Sequence, residues 1–165
     1  IQSERNMSKP SKEVSLKKMK WMLFLLGLTK IPIIGYVKPK LIELNDEKAG
    51  VKIKLRRRSK NHLNSMYFGA LAVGADVAAG LHAFYFAGKM GRKVSFAFKG
   101  MSVEFLMRAE SDVIFSSNDG AIVGAAMQES MEKSSRVNKS ISVVAENTQG
   151  EVVATFDMIV SVRVK

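Results

Sequence analysis

The chain has 165 residues, a formal net charge of +11 and no cysteine. This length suits one domain with a substantial core, and the hydrophobic content of 47% excludes general disorder. The lack of cysteine excludes a disulfide scaffold, a cysteine-ligated zinc site and a cysteine nucleophile. Because the only histidines are His62 and His82, a multi-histidine metal site is not expected.

The positive charge is concentrated at one end of the sequence. Residues 1–60 contain 16 basic and 5 acidic side chains, whereas residues 61–165 contain 10 of each. A basic excess of this kind can serve a nucleic acid, a membrane surface, a phosphorylated ligand or solubility alone. The sequence contains no helix-turn-helix pattern, RNP-like aromatic motif or zinc finger, and we therefore predict no nucleic-acid partner.

The chain begins with a polar tail followed by a basic and then apolar segment. We expect residues 1–10 to form a flexible tail and residues 11–165 a single domain, which starts with an amphipathic helix over residues 11–30 capped by Ser11. The run WMLFLLGL resembles the apolar part of a signal peptide, but no small-residue cleavage site follows it. Eight residues are too few to span a bilayer, which needs about 20. We expect this helix to pack on the domain or to make a peripheral contact with a membrane surface.

Beyond residue 40 the pattern alternates between strand and helix periods. Apolar alternation predicts strands over residues 41–44, 51–58, 94–107, 112–117, 137–145 and 152–164, with a bulge near Lys99. The long apolar segment 65–87 predicts a buried central helix, and residues 120–133 a second helix capped by Asn118 or Asp119. Because short turns join successive strands, we predict an α+β fold in which a six-stranded antiparallel sheet wraps around the central helix.

One carboxylate stands apart from the other charges. Asp76 is the only charged residue between Lys60 and Lys89, and it lies in the central helix. At 100° per residue, Gly69, Asp76 and Gly80 fall within about 20° of each other on one small-residue stripe. Burial would raise the pKa of this carboxyl and make it a stronger base, which is typical of functional acids. Alternatively, Asp76 is a structural residue that satisfies a neighbouring donor.

The segment before the central helix is the second candidate feature. Residues 58–69 lead from the basic strand to the helix N-terminus, where backbone N–H groups and the helix dipole converge. Such a position suits an oxyanion or a thioester carbonyl, and Gly69 would let a ligand approach the backbone. The alternative is an ordinary polar loop that enters the helix.

The segment NHLNSMYFGALAVGADVAAGL, together with the order of elements, resembles the hotdog-fold acyl-CoA thioesterases. The resemblance covers roughly residues 17–165 and is closest to a poorly characterised, DUF4442-like branch near the phenylacetic-acid-degradation type. It implies a hotdog fold with two additions, the N-terminal helix and the helix between strands four and five. It also implies a cytoplasmic homodimer or dimer of dimers whose sheets join edge to edge, with no metal or cofactor.

The resemblance also assigns residues by position. Asp76 matches the family's acid, as general base or nucleophile, and Asn61 matches the asparagine that positions water or substrate. Gly69 matches the last residue of a His-Gly-Gly signature, in which this chain has Tyr67 and Phe68 at the first two positions. The implied substrate-binding residues are His62, Ser65, Tyr67, Phe68, Arg56 and Arg58, the two arginines toward the phosphates of coenzyme A. The alternative function is a non-catalytic acyl-CoA or lipid-binding protein of the same fold.

Overall fold

The computed structural model describes residues 14–165, so the expected tail and the Ser11 cap lie outside the described residues. The elements in chain order are α1 (Leu16–Thr29), α2 (Pro32–Val37), β1 (Lys40–Leu44), β2 (Ala49–Ile53), α3 (Phe68–Met90), β3 (Val94–Phe105), β4 (Val113–Ser117), α4 (Gly120–Lys133), β5 (Val137–Glu146) and β6 (Val152–Val164).

The six strands form one antiparallel sheet in the order β1-β2-β4-β5-β6-β3. Alternate residues of β6, such as Phe156, Met158 and Val160, lie on the inner side of the sheet and are buried. The pairing of β3 with β6 shifts register between Phe98 and Gly100, where the sequence predicted a bulge. The predicted α+β fold is confirmed, and β1 and β3 are the two edges of the sheet.

Helix α3 crosses the inner side of the sheet and is buried along most of its length. Its residues are long and apolar enough to cross a membrane, yet its most apolar part is largely covered by the rest of the protein. It begins at Phe68 rather than at residue 65, because the N–H of Met66 donates to the Ala109 carbonyl, 2.8 Å away, and takes that residue out of the helix. It ends where Gly91 takes the left-handed conformation, with φ of 61°.

Strand β2 is shorter than the alternation of lysines and arginines predicted. It ends at Ile53, and the chain then makes a turn over residues 56–59. Ser59 stabilises this turn, since its Oγ donates to the Lys54 carbonyl at 2.7 Å and accepts from the Arg56 N–H at 3.0 Å. The predicted strand over residues 51–58 is therefore wrong for residues 54–58, which include Arg56 and Arg58. Hydroxyl bonding to nearby backbone competes with strand pairing here.

The N-terminal segment contains one helix that the sequence did not predict. Helix α1 starts after Ser15, whose Oγ accepts from the Lys18 N–H at 3.2 Å. Helix α2 occupies what was expected to be a connector, and its first residue is Pro32, a favourable position for proline. The two helices cross in direct backbone contact, because a Cβ on Gly27 would lie 2.7 Å from the Gly35 nitrogen.

Candidate active site

Asp76 lies on the one side of α3 that the sheet does not fully cover. Most residues from Ala70 to Ala83 are buried, but a stripe along the first half of the helix is only partly buried. The residues of this stripe are Gly69, Ala72, Val73 and Asp76. Their spacing of three, four and seven places them on one helix face, as the helical periodicity predicted.

The Asp76 side of α3 faces the inner surface of the edge strand β3. Gly80, one turn further along the same face, packs against an aromatic ring of β3, since a Cβ there would lie 3.0 Å from Cζ of Phe96. The Phe96 ring in turn contacts Phe84 and Phe98, with centroid distances of 5.0 Å and 5.8 Å. An apolar aromatic wall therefore stands one helical turn beyond Asp76, on the same face of α3.

Burial raises the pKa of the Asp76 carboxyl, because the charged form loses hydration in these apolar surroundings. Among residues 14–165, no hydrogen bond or ion pair contributes to this shift. The alternative in which Asp76 satisfies a neighbouring donor is therefore not supported by the contacts of the described chain. An ionisable group with raised pKa and no structural partner is typical of a general base or nucleophile.

The N-terminus of α3 presents two backbone donors. The N–H groups of Ala70 and Leu71 both donate to the Tyr67 carbonyl, at 2.9 Å and 3.1 Å. Within the described residues, the N–H groups of Phe68 and Gly69 have no acceptor, and the Tyr67 side chain does not cap the helix. These two donors, at the positive end of a helix of 23 residues, can stabilise an oxyanion.

The two aromatic residues at the start of α3 change the interpretation of Gly69. A Cβ on Gly69 would overlap the ring of Tyr67, which lies over this glycine. The rings of Tyr67 and Phe68 are exposed and lie 4.7 Å apart between centroids. The lack of a side chain at Gly69 thus accommodates Tyr67, whereas the sequence suggested close approach of a ligand.

Asn61 organises the loop that leads into α3. Its Oδ1 accepts three hydrogen bonds, from Leu63 N–H at 2.9 Å and from the N–H and Oγ of Ser65, both at 3.2 Å. Ser65 is buried, whereas His62 is exposed. The Asn61 Nδ2 has no acceptor among the described residues. It is therefore the polar atom of this side chain that can contact a substrate.

Arg56 and Arg58 lie beside α1 and α2 rather than along a strand. The Arg58 guanidinium lies 5.2 Å from the centroid of the Tyr36 ring in α2, a cation–π contact. Arg56 lines a groove beneath α1, and its buried Nε has no acceptor in the described structure. The isolated pairing of Lys60 with Met66 still holds this basic turn near the start of α3.

Two apolar residues of β3 were not predicted as part of a site. Met101 and Phe105 pair with Met158 and Ala154, which are buried on the inner face of the sheet, yet they are themselves exposed. These two residues continue the aromatic wall of Phe96 and Phe98 along the edge strand β3. The apolar alternation of β3 includes both residues. They lie on the inner face because the bulge between Phe98 and Gly100 shifts which residues point inward.

Comparison with solved structures identifies the fold. A candidate thioesterase from Shewanella oneidensis superposes with a TM-score of 0.77 at 10% identity, over 90% of this chain and 99% of that one. A Pseudomonas aeruginosa protein of unknown function, considered a candidate thioesterase, gives a TM-score of 0.72 at 20% identity, over 88% and 95%. A thioesterase from Haemophilus influenzae gives 0.64 at 6% identity, over 92% of each chain. The chain shares the hotdog fold of these proteins.

The sequence family is also established. The model of a family described as a domain of unknown function, DUF4442, matches residues 20–162. The chain therefore belongs to the DUF4442 family. No match was found among curated proteins.

Proposed function

We propose that the protein is a cytoplasmic hydrolase of acyl-CoA or a related acyl thioester, with Asp76 as general base or nucleophile. The observation that carries this proposal is the partly buried Asp76 carboxylate, which has a raised pKa and no partner in the described chain. The apolar wall one helical turn beyond Asp76 would accept an acyl chain. The hotdog fold that the chain shares with thioesterases supports the same chemistry.

The proposed reaction needs a base, an activated water and an oxyanion site. Asp76 removes a proton from water as the water oxygen attacks the thioester carbon, and backbone N–H groups bind the oxyanion. Collapse of the tetrahedral intermediate breaks the carbon–sulfur bond, and the thiolate takes the proton back from Asp76. The products are a carboxylic acid and a thiol. As a nucleophile, the Asp76 carboxylate would instead attack the thioester carbon and expel the thiolate as the carbon–sulfur bond breaks, which leaves a mixed anhydride. Water then opens the anhydride to give the free acid and the Asp76 carboxyl, and the thiolate takes the proton of that carboxyl.

The open edge strand β3 favours a site that a second chain completes. Met101 and Phe105 lie on the inner face of this edge and are exposed. Gly69 and Asp76 are seven residues apart, about 10 Å along the helix axis, so the oxyanion donors and the acid lie at different points along α3. We propose that Asp76 of one chain acts with the α3 N-terminus of a second copy, in a homodimer joined through β3.

The assignment of Asp76 is tested by substitution. Purified Asp76→Asn and Asp76→Ala variants are assayed for thiol release across a panel of acyl-CoA substrates of increasing chain length. Because the base is removed, we expect kcat to fall by about 100-fold or more. The matched control is Asp157→Asn, since Asp157 lies on the outer face of the sheet beside Ser102 and Ser142. The control is expected to retain full turnover, and unchanged turnover in both Asp76 variants would refute the assignment.

A second candidate function is binding of an acyl-CoA or lipid without hydrolysis. The Tyr67 ring over Gly69 favours it, because the ring stands where the signature glycines of thioesterases leave the backbone open. In the same panel, saturable binding by titration calorimetry with no thiol release from the wild-type protein would establish this alternative.

A further inference from the structure

A dense cluster of exposed apolar side chains lies on α1 and α2, away from the candidate active site. We call residues 16–37 the α1–α2 hairpin. Leu28, Trp21 and Phe24 are 65%, 61% and 58% exposed, and the rings of Trp21 and Phe24 stack at 5.5 Å. Further exposed apolar residues of the hairpin are Leu25, Ile31, Ile33 and Tyr36. Apolar patches of this kind commonly mark an interaction surface.

The fold does not need these exposed side chains. The opposite side of the hairpin packs on the body of the protein through Met19, Leu23, Ile34 and Val37, all of which are buried. The close crossing at Gly27 and Gly35 holds the two helices together. Apart from the contact of the Tyr36 ring with Arg58, the outer cluster has no packing partner among residues 14–165.

The charged residues of the segment that carries the cluster are all basic. Residues 14–40 contain six lysines and no acidic residue. These lysines are exposed and flank the apolar cluster at both ends of the hairpin: Lys17, Lys18, Lys20, Lys30, Lys38 and Lys40. Isologous contact between two copies of this surface would bring like charges together, which disfavours a dimer through the hairpin. Exposed Trp and Tyr next to lysines are typical of proteins that lie in a membrane interface.

A groove beneath the hairpin is also lined by both apolar and basic residues. It has a volume of about 790 Å³ and runs between the two helices and β1. Its apolar lining includes Leu23, Phe24 and Leu41, and its cations are Lys20, Lys38, Lys40 and Arg56. The four cations of the lining make the groove electropositive, which favours an anionic ligand. An acyl chain with an anionic headgroup satisfies both requirements.

The hairpin stays accessible in the proposed dimer. It packs next to β1, at one edge of the sheet, whereas β3 is the other edge. A dimer joined through β3 would carry one exposed hairpin on each chain.

We propose that the α1–α2 hairpin docks the protein on an anionic phospholipid membrane, with Trp21, Phe24 and Leu28 in the interface and the lysines on the headgroups. The proposal does not depend on hydrolysis at Asp76. The hairpin would bring the protein to lipid surfaces, where long-chain amphiphilic thioesters partition.

The chain offers a direct spectroscopic test, because Trp21 is its only tryptophan. Wild-type protein is mixed with vesicles of phosphatidylcholine alone, and with vesicles in which about one third of the lipid is phosphatidylglycerol. We expect a blue shift of Trp21 emission and quenching by brominated lipid only with the anionic vesicles. An unchanged spectrum with both vesicle types overturns the proposal.

Two pairs of variants separate docking from general attraction by a basic protein. Phe24→Glu with Leu28→Glu should abolish co-sedimentation with anionic vesicles, whereas Ile122→Glu, at an exposed position of α4, should not. Converting Lys17, Lys18 and Lys20 to Gln should weaken binding by about 100-fold. Converting Arg92, Lys93 and Arg163 to Gln removes the same charge elsewhere and should weaken it only slightly.

Three outcomes overturn membrane docking: equal effects of the two charge-removal variants, equal binding to neutral vesicles, and a lower oligomeric state caused by Phe24→Glu with Leu28→Glu. The last outcome would show that a protein copy covers the hairpin. Hydrolysis of a short-chain, water-soluble thioester should be unchanged in Phe24→Glu with Leu28→Glu, so failure of docking and failure of the proposed activity are distinguishable.

Discussion

At the scale of single residues, Asp76 combines a structural disadvantage with the chemical use that we propose for it. A partly buried carboxylate without a partner disfavours folding, because its charged form is less well hydrated than in the unfolded chain. Such a disadvantage is common where a side chain serves activity. The same burial that lowers stability makes the carboxylate a better base.

We therefore expect Asp76→Asn to be more stable than the wild type at neutral pH. The folded-state pKa lies above the unfolded value of 3.8, so the folded protein binds more protons in this interval. Wild-type stability should then fall as pH rises from the unfolded value through the folded one. Thermal unfolding between acidic and neutral pH should show the Tm gain of Asp76→Asn shrinking on acidification. A gain that is independent of pH would contradict this account.

At the scale of elements, glycine contacts decide the shape of the N-terminal region. Gly27 and Gly35 let α1 and α2 cross with their backbones in contact. The sequence predicted the first helix from its apolar residues but assigned the second to a connector. Six residues are too few for a periodic signal, and the reason for a helix there is the partner helix that packs on it.

Gly27→Ala should lower stability even though alanine favours helices by about 1 kcal/mol over glycine. The added Cβ would lie 2.7 Å from the Gly35 nitrogen and 2.9 Å from its Cα, so the helices must separate. Overpacking of this kind costs about 1–3 kcal/mol. Chemical denaturation measures the change, with Leu25→Ala as a control because Leu25 lies on the exposed side of α1. A Gly27→Ala variant as stable as the wild type would show that the crossing is looser than described.

At the scale of the whole molecule, the open edge β3 is the place where a second chain would complete the proposed site. Its inner face carries exposed Met101 and Phe105, and the acid and the oxyanion donors of one chain lie about 10 Å apart along α3. Both features favour a second chain along this edge.

Mixing two inactive variants tests whether each site contains residues of two chains. Asp76→Asn and Asn61→Ala are co-refolded, and thiol release is measured before and after mixing. If Asp76 acts with Asn61 of the other chain, each mixed dimer regains one intact site. The mixture should then reach about one quarter of wild-type turnover, since half of randomly formed dimers are mixed. No recovery in a mixture shown to contain mixed dimers would place both residues in a single-chain site.

The sequence by itself determined the α+β class, most strand positions, the bulge in β3 and the small-residue stripe that carries Asp76. These features depend on local periodicity and on the contrast between one acid and an apolar helix, which are readable along the chain. The turn at residues 56–59, the role of Asn61 in its loop and the Tyr67 ring over Gly69 were decided by the tertiary structure. Each depends on hydrogen bonds or on close contacts that composition and spacing do not encode. The same holds for the positive charge, because only packing shows that lysines spread over 24 residues surround one exposed apolar surface.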